Sequence, residues 1–141
     1  MNQIKRAKPE ESRDVLQKLE EEFSITFPED AAAFLLANSR GIPVKSTFQL
    51  GGFRCHLERF LSASLSNRLN LYTAAVLMHE NMPESILLPF AGNGMGDFYC
   101  IRFLDGQAHK IVLWRHETYE EQVLCDRFEQ LLEAMDLAVA Q

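Results

Sequence analysis

The sequence predicts an α+β fold, with helices at both ends of the chain, one helix in the middle and β-hairpins between them. Apolar residues recur at helical spacing near both termini and around residue 75, and they alternate with polar residues in the stretches between. Asp105-Gly106, a dipeptide typical of tight hairpin turns, separates two of the alternating stretches. This order of elements is typical of the α+β class, and 141 residues fit one domain that covers 1–141.

Two helices are predicted in the first 40 residues. The first runs from about Pro9, since proline suits the first helical position, and its apolar stripe consists of Val15, Leu16, Leu19 and Phe23. The second begins at Pro28 and ends before Gly41, and its apolar face consists of Ala31, Phe34 and Leu35.

A hairpin and a further helix are predicted next. The first strand alternates at Val44, Ser46, Phe48 and Leu50, Gly51-Gly52 forms the turn, and residues 53–60 form the returning strand. Helical spacing then returns from about Asn67 to Asn81, with an apolar stripe of Leu71, Ala74, Ala75 and Met78.

A second hairpin and the last helix complete the chain. The strands cover 98–104 and 110–116, and the side chains that share one face of the first are those of Tyr99, Ile101 and Phe103. The apolar stripe of the last helix is Leu124, Phe128, Leu131, Leu132, Met135 and Val139. Thr118 with Glu121, or Asp126 with Glu129, would cap its start. We favour the later start, because Val123 and Leu124 would end an extended segment.

The most distinctive segment has glycine at every second position, between the strand that contains Pro89 and the strand that begins at Phe98. Its G-x-G-x-G spacing differs from the G-x-G-x-x-G of dinucleotide sites, and a strand rather than a helix follows it. We therefore expect a turn with positive φ at Gly92, Gly94 and Gly96 instead of a phosphate site. Asp97 is expected to accept backbone N–H groups there, and the alternative is a general base or metal ligand.

The sequence offers no convincing catalytic or metal-binding constellation. Its four histidines include no pair with zinc spacing, no serine lies in G-x-S-x-G, and no cysteine has neighbours that would lower its pKa. We therefore predict a protein without enzymatic activity and without cofactors or metals.

The negative charge is concentrated at the C-terminal end. The net charge is −6, and residues 116–141 contain seven acids against the single base Arg127. Either these acidic residues only form the solvent-exposed faces of helices, or they steer a basic partner by long-range attraction. Both interpretations argue against nucleic-acid binding, which needs clustered Lys and Arg.

Cysteine usage and hydropathy predict a cytoplasmic protein. Cys55, Cys100 and Cys125 are odd in number and widely spaced, which favours a reducing compartment. No signal peptide is recognisable, and no apolar run approaches the roughly 20 residues that span a bilayer, so no membrane partner is expected.

Trp114-Arg115-His116-Glu117 forms a cluster at the end of a predicted strand. Trp and Arg often anchor protein partners, whereas a core tryptophan beside exposed charges would have no such role. Both alternatives stay open at this stage.

Three elements of the chain resemble the SUKH superfamily, which includes fungal regulators of cell-wall glucan synthesis and many bacterial toxin-immunity proteins. The first is Ile25-Thr26-Phe27-Pro28-Glu29-Asp30, followed in the sequence by the apolar residues 34–36. The second is the strand 88–91 with the glycine loop and Gly96-Asp97-Phe98-Tyr99. The third is the returning strand ending in His116-Glu117, followed by an apolar terminal helix. In this resemblance the turn residues Pro89, Gly92, Gly94, Gly96 and Asp97 mark the fold.

The resemblance implies helices around a mixed or mainly antiparallel central sheet, and a protein-binding module without enzymatic activity. The leading hypothesis is an immunity protein that binds and neutralises a cognate toxin, and that toxin is expected to have a basic surface. The candidate partner-binding residues are Trp114, His116, Glu117, Glu120 and Glu121. The alternatives are a regulatory scaffold related to the fungal proteins, and a small-molecule-binding domain built around Asp97 and His116.

Overall fold

The computed structural model describes residues 1–137, and these form four helices and three antiparallel sheets. The helices are α1 (Asp14–Phe23), α2 (Glu29–Ala37), α3 (Leu71–Asn81) and α4 (Phe128–Ala134). The central sheet has the order β5-β6-β7-β8-β9, with β5 (Arg59–Phe60), β6 (Ile86–Gly92), β7 (Phe98–Leu104), β8 (Gln107–Trp114) and β9 (Glu121–Cys125). The small sheets pair β1 (Ile4–Lys5) with β2 (Ile42–Pro43), and β3 (Thr47–Leu50) with β4 (Phe53–His56). The predicted α+β class is therefore confirmed.

The two faces of the central sheet carry two hydrophobic clusters. Tyr99, Ile101 and Phe103 of β7 belong to the main core, which also contains buried side chains of α1, α2 and α4. The opposite face carries a smaller cluster, which consists of Met78, Leu87, Cys100, Val112 and Trp114. The predicted alternation of β7 is thus confirmed, and α3 contributes Met78 to the smaller cluster.

The first helix begins later than predicted. The Lys8 N–H donates to Ser39 O (2.7 Å) and the Glu10 N–H to Leu36 O (2.8 Å), so this segment is bound to the end of α2. The predicted start at Pro9 was wrong, because these long-range bonds hold the segment outside the helix. The second helix, predicted from Pro28, begins one residue later at Glu29, and Pro28 is its N-cap.

The first hairpin is also shorter than predicted. Its turn lies at Gly51-Gly52 as expected, but β4 ends at His56. The Glu58 N–H donates to Gly92 O (2.8 Å), and residues 59–60 pair with β6 in the central sheet. The continuous returning strand 53–60 was therefore wrong. Val44, which was placed in the first strand, lies outside β3 and is exposed.

The middle helix begins at Leu71 instead of Asn67. Asn70 Oδ1 accepts the N–H groups of Tyr72 and Thr73, and Thr73 Oγ1 accepts the Asn70 N–H. This reciprocal capping box satisfies N–H groups that have no partner within the helix and so sets its first residue.

The later start of the last helix is confirmed, since β9 precedes α4. The cap differs from the expected pair of Asp126 and Glu129, because Gln130 Oε1 accepts the N–H groups of Asp126 and Arg127. Leu124 belongs to β9 and not to the helix, and Val139 lies outside the described residues. Among residues 1–137 no helix combines the length and apolar character that crossing a bilayer requires.

Candidate functional site

The glycine loop connects β6 to β7. Gly94 (φ 82°) and Gly96 (φ 98°) have the left-handed conformation that was predicted, whereas Gly92 is the last residue of β6 and does not. The expectation of a positive φ at Gly92 was wrong, since this residue continues the strand and pairs with Phe98. Pro89 lies within β6, where the register shifts before Ala91, and such irregularities accommodate a residue without an N–H.

Asp97 ends this loop and is buried, with 6% of its surface exposed. Its Oδ1 accepts the His116 backbone N–H (3.0 Å) and lies 2.6 Å from His116 Nδ1. Its Oδ2 accepts hydrogen bonds from Asn93 Nδ2 (3.0 Å) and Arg115 Nη1 (3.2 Å). The carboxylate accepts a backbone N–H as expected, and in addition it binds three side chains.

These contacts keep Asp97 ionised. Burial alone would raise the pKa of the carboxyl group. The hydrogen bonds from the His116 backbone and ring, from Asn93 and from Arg115 outweigh burial and lower the pKa from 3.8 to about 2. A buried negative charge therefore stands between the two loops at this end of the sheet.

Strand register explains why Asp97 meets residues 18 and 19 positions away. Phe98 is paired with Trp114, so the residue before β7 lies next to the residues after β8. The connection from β8 to β9, residues 115–120, is named here the β8–β9 loop. It is a tight turn in which the Tyr119 N–H donates to Arg115 O (2.7 Å) and the Arg115 N–H to Glu120 O (2.9 Å).

The two loops border an open depression of about 480 Å³. Its lining consists of Met95, Asp97, Arg115, His116, Glu117, Thr118 and Glu120. An aspartate that binds a histidine ring can orient it for proton transfer. In this depression His116 Nε2 lies 3.9 Å from Glu117 Oε1, and the Thr118 hydroxyl accepts the Glu120 N–H at 3.3 Å. These contacts favour a role in holding the loop and presenting its side chains.

The five candidate partner-binding residues fall into two groups. His116, Glu117 and Glu120 are exposed on the β8–β9 loop. Trp114 is buried, and its ring packs near those of Phe98 (centroids 6.5 Å apart) and Tyr119 (5.2 Å). The structure therefore places Trp114 below the exposed loop.

Glu121 belongs with Trp114 and not with the exposed loop. It pairs with Trp114 across the sheet, and its half-buried carboxylate lies 3.3 Å from Arg102 Nη1. This ion pair compensates its charge within the protein.

Ion pairs compensate much of the acidic charge after residue 116. Asp126 pairs with Lys110, Glu129 with Arg127, and Asp136 with the N-terminal amine. Glu117 and Glu120 have no Lys or Arg nitrogen within 4.0 Å in residues 1–137, and the Glu117 side chain is 83% exposed. Uncompensated, exposed negative charge is therefore present on the β8–β9 loop.

Thiol and metal chemistry find no support in residues 1–137. Burial raises the pKa of the Cys100 thiol well above its usual value and that of Cys125 to about 11. No three His, Cys, Asp or Glu side chains in this range form a group that could hold a metal ion.

Comparison with known proteins gives one match to a family. The family model described as SMI1 / KNR4 family (SUKH-1) matches residues 11–134, a segment that contains all four helices, the central sheet and both loops of the depression. No match was found among curated proteins or among solved structures.

Proposed function

Since the chain belongs to the SMI1 / KNR4 family (SUKH-1), within the superfamily that its sequence resembles, we propose that it is a non-enzymatic protein-binding module. We further propose that it is a bacterial toxin-immunity protein, which acts in the cytoplasm as a single domain of residues 1–141. In this role it binds a basic toxin and covers a surface that the toxin needs for activity.

The observation that carries this proposal is the anchored β8–β9 loop with its uncompensated carboxylates. Buried Asp97 holds the loop at His116 and Arg115, so the loop loses little conformational freedom when a partner binds. Glu117 and Glu120 are exposed and free of Lys or Arg partners in the described chain, so they are available to a basic surface. Complementary charge of this kind increases association rates and favours the correct partner.

Affinity capture from the source cell, followed by mass spectrometry, tests the proposal. Wild-type protein should retain a basic protein, and the gene of that protein should lie beside the gene of this chain. The variant E117K/E120K should lose the partner. The control E11K/E21K makes the same change in net charge at exposed residues of the N-terminal region and should retain it. Equal capture by both variants would contradict a role for the loop.

A small-molecule-binding domain is the second candidate, because the depression contains Arg115 and His116 and its volume falls in the range of ligand pockets. A thermal-shift screen with nucleotides and metal ions distinguishes the two. Stabilisation that disappears in the variant Arg115→Gln would favour this candidate. A regulatory scaffold, the remaining alternative, would be favoured if the captured protein is an enzyme of cell-wall synthesis.

A further inference from the structure

We propose that a groove between α3 and the smaller cluster receives one apolar side chain from a basic segment of the protein partner. The groove has a volume of about 110 Å³ and is lined by Leu69, Ala74, Leu77, Met78, Asn81, Pro89, Phe98 and Trp114. This inference rests on the proposed function, and it assigns the partner's hydrophobic anchor to a surface distinct from the depression.

The rim of the groove exposes large apolar side chains. Leu69 is 50% exposed and Leu77 is 55% exposed, while Trp114 and Met78 beneath them are buried. Tyr119, whose ring lies tilted against that of Trp114, is 46% exposed. Neighbouring apolar side chains left in contact with water are typical of interaction sites.

The indole of Trp114 gives this groove a polar group that can recognise a peptide backbone. Its Nε1 is buried and has no hydrogen-bond partner among residues 1–137. Buried tryptophan N–H groups usually donate a hydrogen bond, and a buried N–H without an acceptor is unfavourable. Because this atom is buried in the free protein, the Trp114 side chain must shift on docking before a carbonyl oxygen of the bound segment can accept its N–H.

Charge complementarity identifies the occupant as basic. Glu80 follows Leu77 by one helical turn, and Glu117 and Glu120 lie on the loop directly after Trp114. None of the three has a Lys or Arg nitrogen within 4.0 Å in the part of the chain described. Arg115 and Arg102 are committed to Asp97 and Glu121.

The size of the groove and its surroundings define the anchor. Its volume is smaller than that of the cavities of about 150 Å³ that accommodate benzene, so a single aliphatic side chain fits. Arg68, exposed beside Leu69, is a basic neighbour at the N-terminal end of α3. The occupant is therefore an apolar residue, such as Leu or Met, with Lys or Arg on the side that faces Glu80 and the β8–β9 loop.

The test uses the full chain and a short synthetic peptide with one Leu between pairs of lysines. Trp114 is the only tryptophan of the chain, so its indole N–H gives a single NMR cross-peak in that region. The Leu peptide should move this cross-peak in a saturable manner. A matched peptide with Ser in place of Leu, and one with Glu in place of the lysines, should each bind at least about tenfold more weakly than the Leu peptide. A cross-peak that stays in place, or equal binding of the three peptides, overturns the proposal.

Leucine-to-serine variants of the protein locate the site. Leu77→Ser should weaken binding of the Leu peptide by about tenfold. Leu104→Ser is the matched control, because Leu104 is also 55% exposed but lies at the β7–β8 turn, outside the groove. Leu69→Ser provides a second groove variant if L77S fails to fold. Equal affinity of the Leu peptide for the groove variant and for the control overturns the proposal that the groove binds the partner.

The two proposals fail in different ways. If L77S retains the partner captured from the cell as wild type does, the groove is wrong and the protein-binding function stands. If wild-type protein captures no partner while the Leu peptide binds at the indole, the groove is supported and the immunity function is wrong.

Discussion

The carboxylate of Asp97 binds both the backbone and the ring of His116, with Oδ1 3.0 Å from the backbone nitrogen and 2.6 Å from Nδ1. This pair joins the end of the glycine loop to the β8–β9 loop. The position of the exposed carboxylates of Glu117 and Glu120 therefore depends on a buried charge.

Replacement of Asp97 by Asn should destabilise the protein by about 1–3 kcal/mol, because hydrogen bonds to a buried charge are lost. Thermal or urea unfolding measures this change. Asp126→Asn serves as the control, since the Asp126 side chain is exposed and pairs only at the surface, where ion pairs contribute little. Equal loss of stability in both variants would contradict the anchoring role of Asp97.

The contribution of the Asp97 charge to the free energy of unfolding should disappear in acid. The folded-state pKa of about 2 lies below the ordinary 3.8, so the stabilisation is fully present above about pH 4 and is lost as the pH falls towards 2. A lowering of the pKa by this amount corresponds to about 2 kcal/mol of folding stability. Free energies of unfolding of wild type and D97N, measured from pH 7 to pH 2, should converge at the acid end. A constant difference would show that the charge of Asp97 contributes nothing.

Gly51→Ala should destabilise the protein more than Gly52→Ala, although both glycines lie in the same turn at positive φ (61° and 80°). A Cβ on Gly51 would collide with the carbonyl oxygen of Leu124 in β9, whereas a Cβ on Gly52 would have no atom within 4 Å. We expect a loss of about 1 kcal/mol for G52A, from strain alone, and about 3 kcal/mol for G51A. Chemical unfolding of the pair provides the measurement, and similar losses would contradict the close approach of this turn to β9.

Gly96→Ala should disturb His116, because a Cβ on Gly96 would lie 3.0 Å from the Cε1 and Nδ1 atoms of the ring. The control is Gly94→Ala, which has a similar positive φ but meets only the flexible end of the Glu58 side chain. NMR signals of the His116 ring should shift in G96A and remain close to wild type in G94A. Unchanged signals in G96A would show that the ring is not held against the glycine loop.

Local pattern was sufficient for much of the fold. The start of α4 followed from the extended character of Val123 and Leu124, and the faces of β7 followed from alternation. The start of α1 was mispredicted because Glu10 bonds to Leu36, a contact that helical propensity does not contain. For the same reason the returning strand was drawn too long, since the Gly92 carbonyl accepts the Glu58 N–H and leads the chain into the central sheet.

The site was predicted only in part. Asp97 was expected to accept a backbone N–H, but its side-chain partners Asn93 and Arg115 were not identified. Part of the signal was present in the Asp105-Gly106 turn, which pairs the two strands of the second hairpin. A register shift between Arg102 and Phe103 then moves the pairing by one residue, so that Phe98 pairs with Trp114 and Asp97 lies beside Arg115 and His116, and the sequence pattern does not show this shift. The burial of Trp114 and the ion pair of Glu121 depend on packing that the sequence pattern leaves open.

The affinity for the captured partner tests the central claim most directly, and it should be measured for wild type, E117K/E120K and E11K/E21K at low and high salt. We predict that E117K/E120K binds at least about tenfold more weakly than wild type at low salt, and that the difference shrinks at high salt. The control E11K/E21K should bind like wild type. Equal affinity of wild type and E117K/E120K, independent of salt, would contradict recognition through the β8–β9 loop.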